Sequence, residues 1–124
     1  MRGIVFTTDN QMYVKEFTPP LYQSIGEVVG GWIEIVRPRG LKHGYVMVVN
    51  EEGLLHKLPL NAFGSILYGT QIHGCPIVGD IVVMKEDMTI DGLDFVELTD
   101  SDIREIKALA KNVSGGEIKE IEVR

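Results

Sequence analysis

The chain has 124 residues, of which 44% are apolar, enough for one domain that buries its core without disulfides or metals. Its single cysteine, Cys75, excludes an intramolecular disulfide. A net charge of −6 leaves no surplus of Lys and Arg for a duplex-binding surface, so no duplex nucleic acid is expected as a partner.

The apolar run near the start, Ile4–Phe6, is far shorter than a signal segment. No stretch approaches the roughly 20 apolar residues of a membrane span, and a cytoplasmic protein with no membrane contact is expected. Residues 1–85 balance seven acidic against seven basic side chains, whereas residues 86–124 carry eleven acidic against five basic. The whole negative charge therefore sits in the last third, which reads first as a soluble face.

In chain order, Ile4–Thr8 and Met12–Phe17 flank Asp9-Asn10 and predict a hairpin. Pro19-Pro20 stops the strand. Leu21, Ile25, Val28 and Val29 then recur at helical spacing over about 20–29, and Gly30-Gly31 ends that helix. Trp32–Arg37 and Tyr45–Asn50 form an antiparallel pair joined by the loop PRGLKHG. Leu54–Leu58 is expected as a third strand after the NEEG turn, and Asn61 as the N-cap of a short helix ending near Tyr68-Gly69.

Ile77–Met84 reads as the strongest strand, with Gly79-Asp80 marking a bulge. Asp87–Asp94 is expected as a polar loop and Phe95–Leu98 as a last short strand. Thr99 with Asp102 resembles a capping box opening an amphipathic helix over about 100–112. The order implies an α+β fold: a single, mainly antiparallel sheet with two short helices and one C-terminal amphipathic helix packed on one face. Residues 1–113 form the domain and 114–124 a tail. Its Ile118, Ile121 and Val123 suit an edge strand, paired with its own sheet or with a neighbour's to make a homodimer. The periodicity places Trp32, Ile35, Val46, Val48, Ile77, Val82, Ile103, Ile106 and Leu109 in the core.

The segments GGWIE (30–34), NEEGLLHKLPLN (50–61), LYG (67–69) and IVG (77–79) are similar, in order and spacing, to a family of small domains of unknown function. That family is found chiefly in phages, prophages and conjugative elements of Firmicutes. The resemblance covers residues 1 to about 110. It departs at Lys57, where glycine is common, and at residues 113–124, which extend past the usual end. It implies a small accessory protein of a mobile element and supplies no catalytic residues.

The chemistry-bearing residues are sparse. Glu51 and Glu52 are adjacent, so in a strand or hairpin they diverge, and a paired acid/base role needs carboxylates that face each other. Asn50 and Gly53 are expected to supply the left-handed positions of a turn. Of His43, His56, His73 and Cys75, only His73 and Cys75 have any ligand-like spacing, and a second pair is missing, so no metal site is expected. Cys75, before Pro76, reads as a small buried hydrophobe. Ser65 lacks a nucleophile-elbow frame, and no phosphate-cradling glycine loop is present.

Arg37, Arg39 and Lys42 concentrate positive charge on one loop, able to hold a phosphate or carboxylate, or to contact the acidic C-terminal part of the same chain. Asn50, Glu51 and Asn61 join them as candidate ligand-binding residues, Asn61 alternatively serving only as a helix cap. No catalytic residue and no cofactor is expected. The reading is a non-enzymatic binding protein that sequesters a small anionic, nucleotide-like ligand or blocks a host protein. The alternatives are a small enzyme acting on a nucleotide-like substrate and a structural, self-associating domain. A pocket lined by Arg37 or Arg39 with Asn50 would favour ligand capture, a flat apolar face a protein partner, and clustered carboxylates with a bound metal an enzyme.

Overall fold

The computed structural model describes residues 1–70 and 74–122. Seven strands form one sheet in the order β3-β4-β5-β1-β2-β7, with β6 beside β5. They are β1 (Arg2–Phe6), β2 (Gln11–Glu16), β3 (Ile33–Val36), β4 (Tyr45–Asn50), β5 (Ile81–Thr89), β6 (Gly92–Val96) and β7 (Lys119–Glu120). Every pairing is antiparallel except β2 with β7. The fold is thus α+β on a mainly antiparallel sheet.

The helices lie on both faces rather than one. α1 (Leu21–Val29) sends Ile25 and Val29 onto the face carrying Val46, Val48, Val82 and Met84. α2 (Ala62–Tyr68) and α3 (Asp100–Ser114) cover the other face, where Phe63, Leu67, Ile103 and Ile106 meet Met47, Val49, Val83 and Ile4. The strand sequences explain why. YVMVVN and the start of β5, IVVM, are apolar at consecutive positions, not alternate ones, and all are buried. A strand apolar on both sides needs cover on both sides.

Local signals act as their chemistry demands. Asn10 takes φ 62 in the β1–β2 turn. The Asn61 side chain accepts from Gly64 N, and Thr99 with Asp102 closes a complete capping box. Gly30, Gly69 and Gly115 end the three helices in the left-handed conformation.

Several expectations fail for identifiable reasons. Residues 54–58 form no strand. Asn50 Oδ1 accepts from Glu52 N at 2.8 Å, His56 N bonds Glu52 O at 3.0 Å and Leu58 N bonds Gly53 O at 3.1 Å, so local bonds coil the segment. Leu54 and Leu55 are left 59% and 73% exposed. Neither Asn50 nor Gly53 has a positive φ; Lys57 does, at 56°, and there glycine would be at ease. Gly53 serves close packing, since a Cβ would lie 2.7 Å from Val78 Cγ2.

β5 starts after the kink at Gly79 (φ 78) and runs on to Thr89, where the expected loop stood. Ile90-Asp91 makes a tight hairpin and β6 begins at Gly92. Trp32 and Ile35 lie outside the core because β3 is at the sheet edge, and Leu109 is only partly buried. In the tail, Lys119–Glu120 pairs with β2 and Ile118 is buried against the main core, whereas Val123 lies outside the described residues.

Candidate functional site

β3 is short because Gly30-Gly31 precedes it and Pro38 follows, and only one of its edges is used. Its register opposes Ile33 to Asn50 and Ile35 to Val48, which puts Trp32 opposite Glu51. Glu51 N bonds Trp32 O at 2.8 Å, so 32, 34 and 36 direct their backbone groups toward β4. Across β4, Glu86 N bonds Gly44 O at 2.8 Å, which fixes the same alternation from the other side. Ile33 and Ile35 therefore turn their N–H and C=O groups outward, at an edge with no strand beside it among the described residues.

Next to this edge lies a groove of about 410 Å³. Val36, Val49, Ile77, Val78, Tyr68 and Pro76 give it apolar walls, and Leu54 and Leu55 from the coiled segment overhang it. Glu34, Glu51 and Glu52 border it, and no Lys or Arg does among the described residues. Cys75 also lines the groove and is exposed, not buried as expected. Its strand does not start until Ile81, so the thiol precedes the sheet instead of entering it.

Two of the three cations of the positive loop are engaged by carboxylates. Arg37 Nε and Nη2 lie 2.5 and 2.8 Å from the Glu86 carboxylate, holding that carboxyl below its ordinary range. Lys42 Nζ is 3.5 Å from Glu105, and Arg39 is exposed with no ion pair among the described residues. Both partners come from the acidic C-terminal part of the chain. Arg37 and Lys42 border a separate hollow of about 230 Å³ with His43, Tyr45 and Glu86. Arg37 and Asn50 thus line different hollows.

The two asparagines are structural. Asn50 Nδ2 donates to Val29 O at 3.0 Å, tying β4 to α1, and the residue also borders the groove. Asn61 is fully buried, donating to Phe6 O and Gly79 O, each at 3.0 Å. Of the six candidates, Asn50 and Glu51 meet at the groove and Arg37 and Lys42 at the smaller hollow.

A family model described as a domain of unknown function (DUF3846) matches residues 1–111. The chain belongs to that family. No curated protein and no solved structure matches it. The matched residues of this DUF3846 domain include the whole groove and the β3 edge, while β7 lies beyond them.

A second polar constellation in the domain joins residues far apart in sequence. The Tyr45 hydroxyl lies 2.8 Å from Asp102 Oδ1 and 2.7 Å from Glu105 Oε2, donating its one proton to either. Lys85 Nζ is 3.0 Å from Asp102 Oδ2, and Thr99 N donates to the same oxygen at 2.9 Å. Burial pushes the Tyr45 phenol well up, and its carboxylate neighbours push it further. Burial would also raise Asp102, but the bonds from Thr99, Tyr45 and Lys85 outweigh it and hold the carboxyl far below its usual range. The cluster pins α3 to β4 and β5, and its groups are spent on one another.

Among the described residues, no group of three or more His, Cys, Asp or Glu is arranged to hold a metal, and no helix is long and apolar enough to cross a membrane. His73 lies outside the described residues. Sequence reasoning missed Glu34, Tyr68, Leu54 and Leu55 as groove residues. Glu34 carried a signal, being the lone charge inside the apolar run WIEIV. The leucines gave none, because their exposure follows from the coil set by the Asn50 side chain.

Proposed function

We propose that this domain is a non-enzymatic binding module that engages a protein partner through an apolar and basic segment. In the phage or mobile-element setting that its residue pattern resembles, the partner is a host protein met in the cytoplasm. The observation that carries this reading is the groove: apolar walls, three bordering carboxylates and no bordering Lys or Arg among the described residues. Such a lining attracts lysine and arginine and repels anions. A small anionic ligand fits this groove less well, because Arg37 and Lys42 are engaged with Glu86 and Glu105 elsewhere.

Cys75, the only cysteine, provides the test. Its alkylation by iodoacetamide, an uncharged reagent, is timed with a short peptide alternating valine and lysine and with its valine–glutamate counterpart. The lysine peptide should slow the reaction and the glutamate peptide should not. Equal slowing by both, or by neither, would overturn the reading.

A further inference from the structure

The exposed edge of β3 borders the acidic groove, so one ligand can use both. Resting on the reading above, we propose that the partner segment docks as an added antiparallel strand on β3, with its basic side chains over the groove. Natural sheets protect edges with charges, lysine above all, or proline inside the strand, with a bulge, with a very short strand or with a covering element. β3 has only its brevity and one charge, Glu34, which a basic segment neutralises. β3 is Ile-Glu-Ile-Val and pairs with β4 in unbroken register. Its outward backbone groups belong to Ile33 and Ile35. Antiparallel addition suits a sheet whose pairings are almost all antiparallel and gives the straighter hydrogen bonds.

The geometry dictates the sequence pattern of the incoming strand. Residues directly opposite one another in an antiparallel pair share a face. Those opposite Ile33 and Ile35 carry the bonding N–H and C=O groups and lie on the α1 face. There Ile35 is 37% exposed and borders a hollow. The charged rim of that hollow is Asp94 and the Arg37–Glu86 pair and its apolar part is Leu93 and Phe95, so a side chain opposite Ile35 meets apolar surface. Their neighbours in sequence project to the other face, beside Glu34, Val36 and the groove, where Glu51 and Glu52 complete the negative border. The segment therefore alternates apolar with basic residues. Charge complementarity sits on one face and apolar contact on the other.

The test uses the valine–lysine peptide in two N-methylated forms, one methylated at every valine and one at every lysine. Binding is read by Cys75 protection and by NMR shifts of the backbone amides. In the proposed geometry only the valine N–H groups bond to β3. Valine methylation should abolish binding and lysine methylation should leave it nearly unchanged, with the largest shifts at Ile33–Val36. Glu34→Lys, an exposed substitution, should weaken the parent peptide about tenfold.

If both methylated forms bind like the parent while Glu34→Lys still weakens it, strand addition is wrong and the groove reading survives. Sensitivity at lysine rather than valine would overturn the antiparallel register. If the parent peptide fails to protect Cys75, both readings fall. A dimer seen in sedimentation that the peptide leaves intact and that Ile35→Lys disperses would assign the edge to a second copy and overturn the proposal.

Discussion

The two ends of the sheet are finished differently. At one end, β2 is closed by β7, a two-residue strand delivered by the Gly115-Gly116 break after α3 and anchored by the buried Ile118. Lys107 of α3 pairs with Glu120 of that strand, so helix and strand are joined by charge as well as by packing. At the other end, β3 has apolar residues facing outward, and Trp32, at its start, is 71% exposed. Covering an edge with a few residues was within reach of this chain, as β7 demonstrates. The contrast separates an end serving stability from an end left available for contact.

The closed end should respond to mutation far more than the open one. The largest effect is expected at Ile106, 1% exposed on the helix that leads to β7. Ile106→Ala should cost about 2–5 kcal/mol in chemical denaturation. A loss below about half a kilocalorie would mean that α3 contributes little to the closed end.

Truncation after Ser114 comes next. It exposes the surface under Ile118 and opens the edge of β2, and should cost about 1.5–3 kcal/mol. An unchanged melting temperature would show that β7 is ornamental and remove half of the contrast.

Asp102→Asn should cost about 1–3 kcal/mol near neutral pH by weakening the bonds to Tyr45 and Lys85. Because the Asp102 carboxyl is held low in the folded protein, the unfolded chain takes up its proton first as pH falls. Its stabilisation is complete above about pH 4 and drains away as pH drops below that value. The gap between parent and variant should therefore close in acid. A gap that is constant from pH 7 to strongly acidic conditions, to be measured by urea titration, would exclude this cluster as the source.

The smallest effect belongs to the open end. Ile35→Ala should cost about 1 kcal/mol or less, since more than a third of that residue is already exposed. A cost like that of Ile106→Ala would show that β3 is a core strand and erase the distinction.

Much of the fold was legible because its signals are local. Asn10, Thr99 with Asp102, Asn61 and the glycines at the helix ends each act within a few residues of themselves. Hydrophobic runs marked β4 and the first half of β5 as strands. What the sequence hid depends on neighbours distant in the chain. WIEIV has the pattern of a core strand, and only its place at the end of the strand order exposes Trp32 and Ile35. The apolar residues 54–58 look like a strand until the Asn50 side chain captures Glu52 N. The candidate site was half legible. Asn50 and Glu51 were in view, but basic residues drew attention to a loop in which Arg37 and Lys42 are met by Glu86 and Glu105.

β5 is the ninth decade of the chain yet sits between β4 and β1, with β6 along its far half. During synthesis the ribosome thus delivers the β1–β2 and β3–β4 hairpins well before the strand that unites them. At about 5–20 residues per second, each waits some seconds with its β5-facing edge unpaired. The nascent chain is most exposed to aggregation in that interval, and the arrival of Ile81–Met84 ends it by filling the gap from both sides at once.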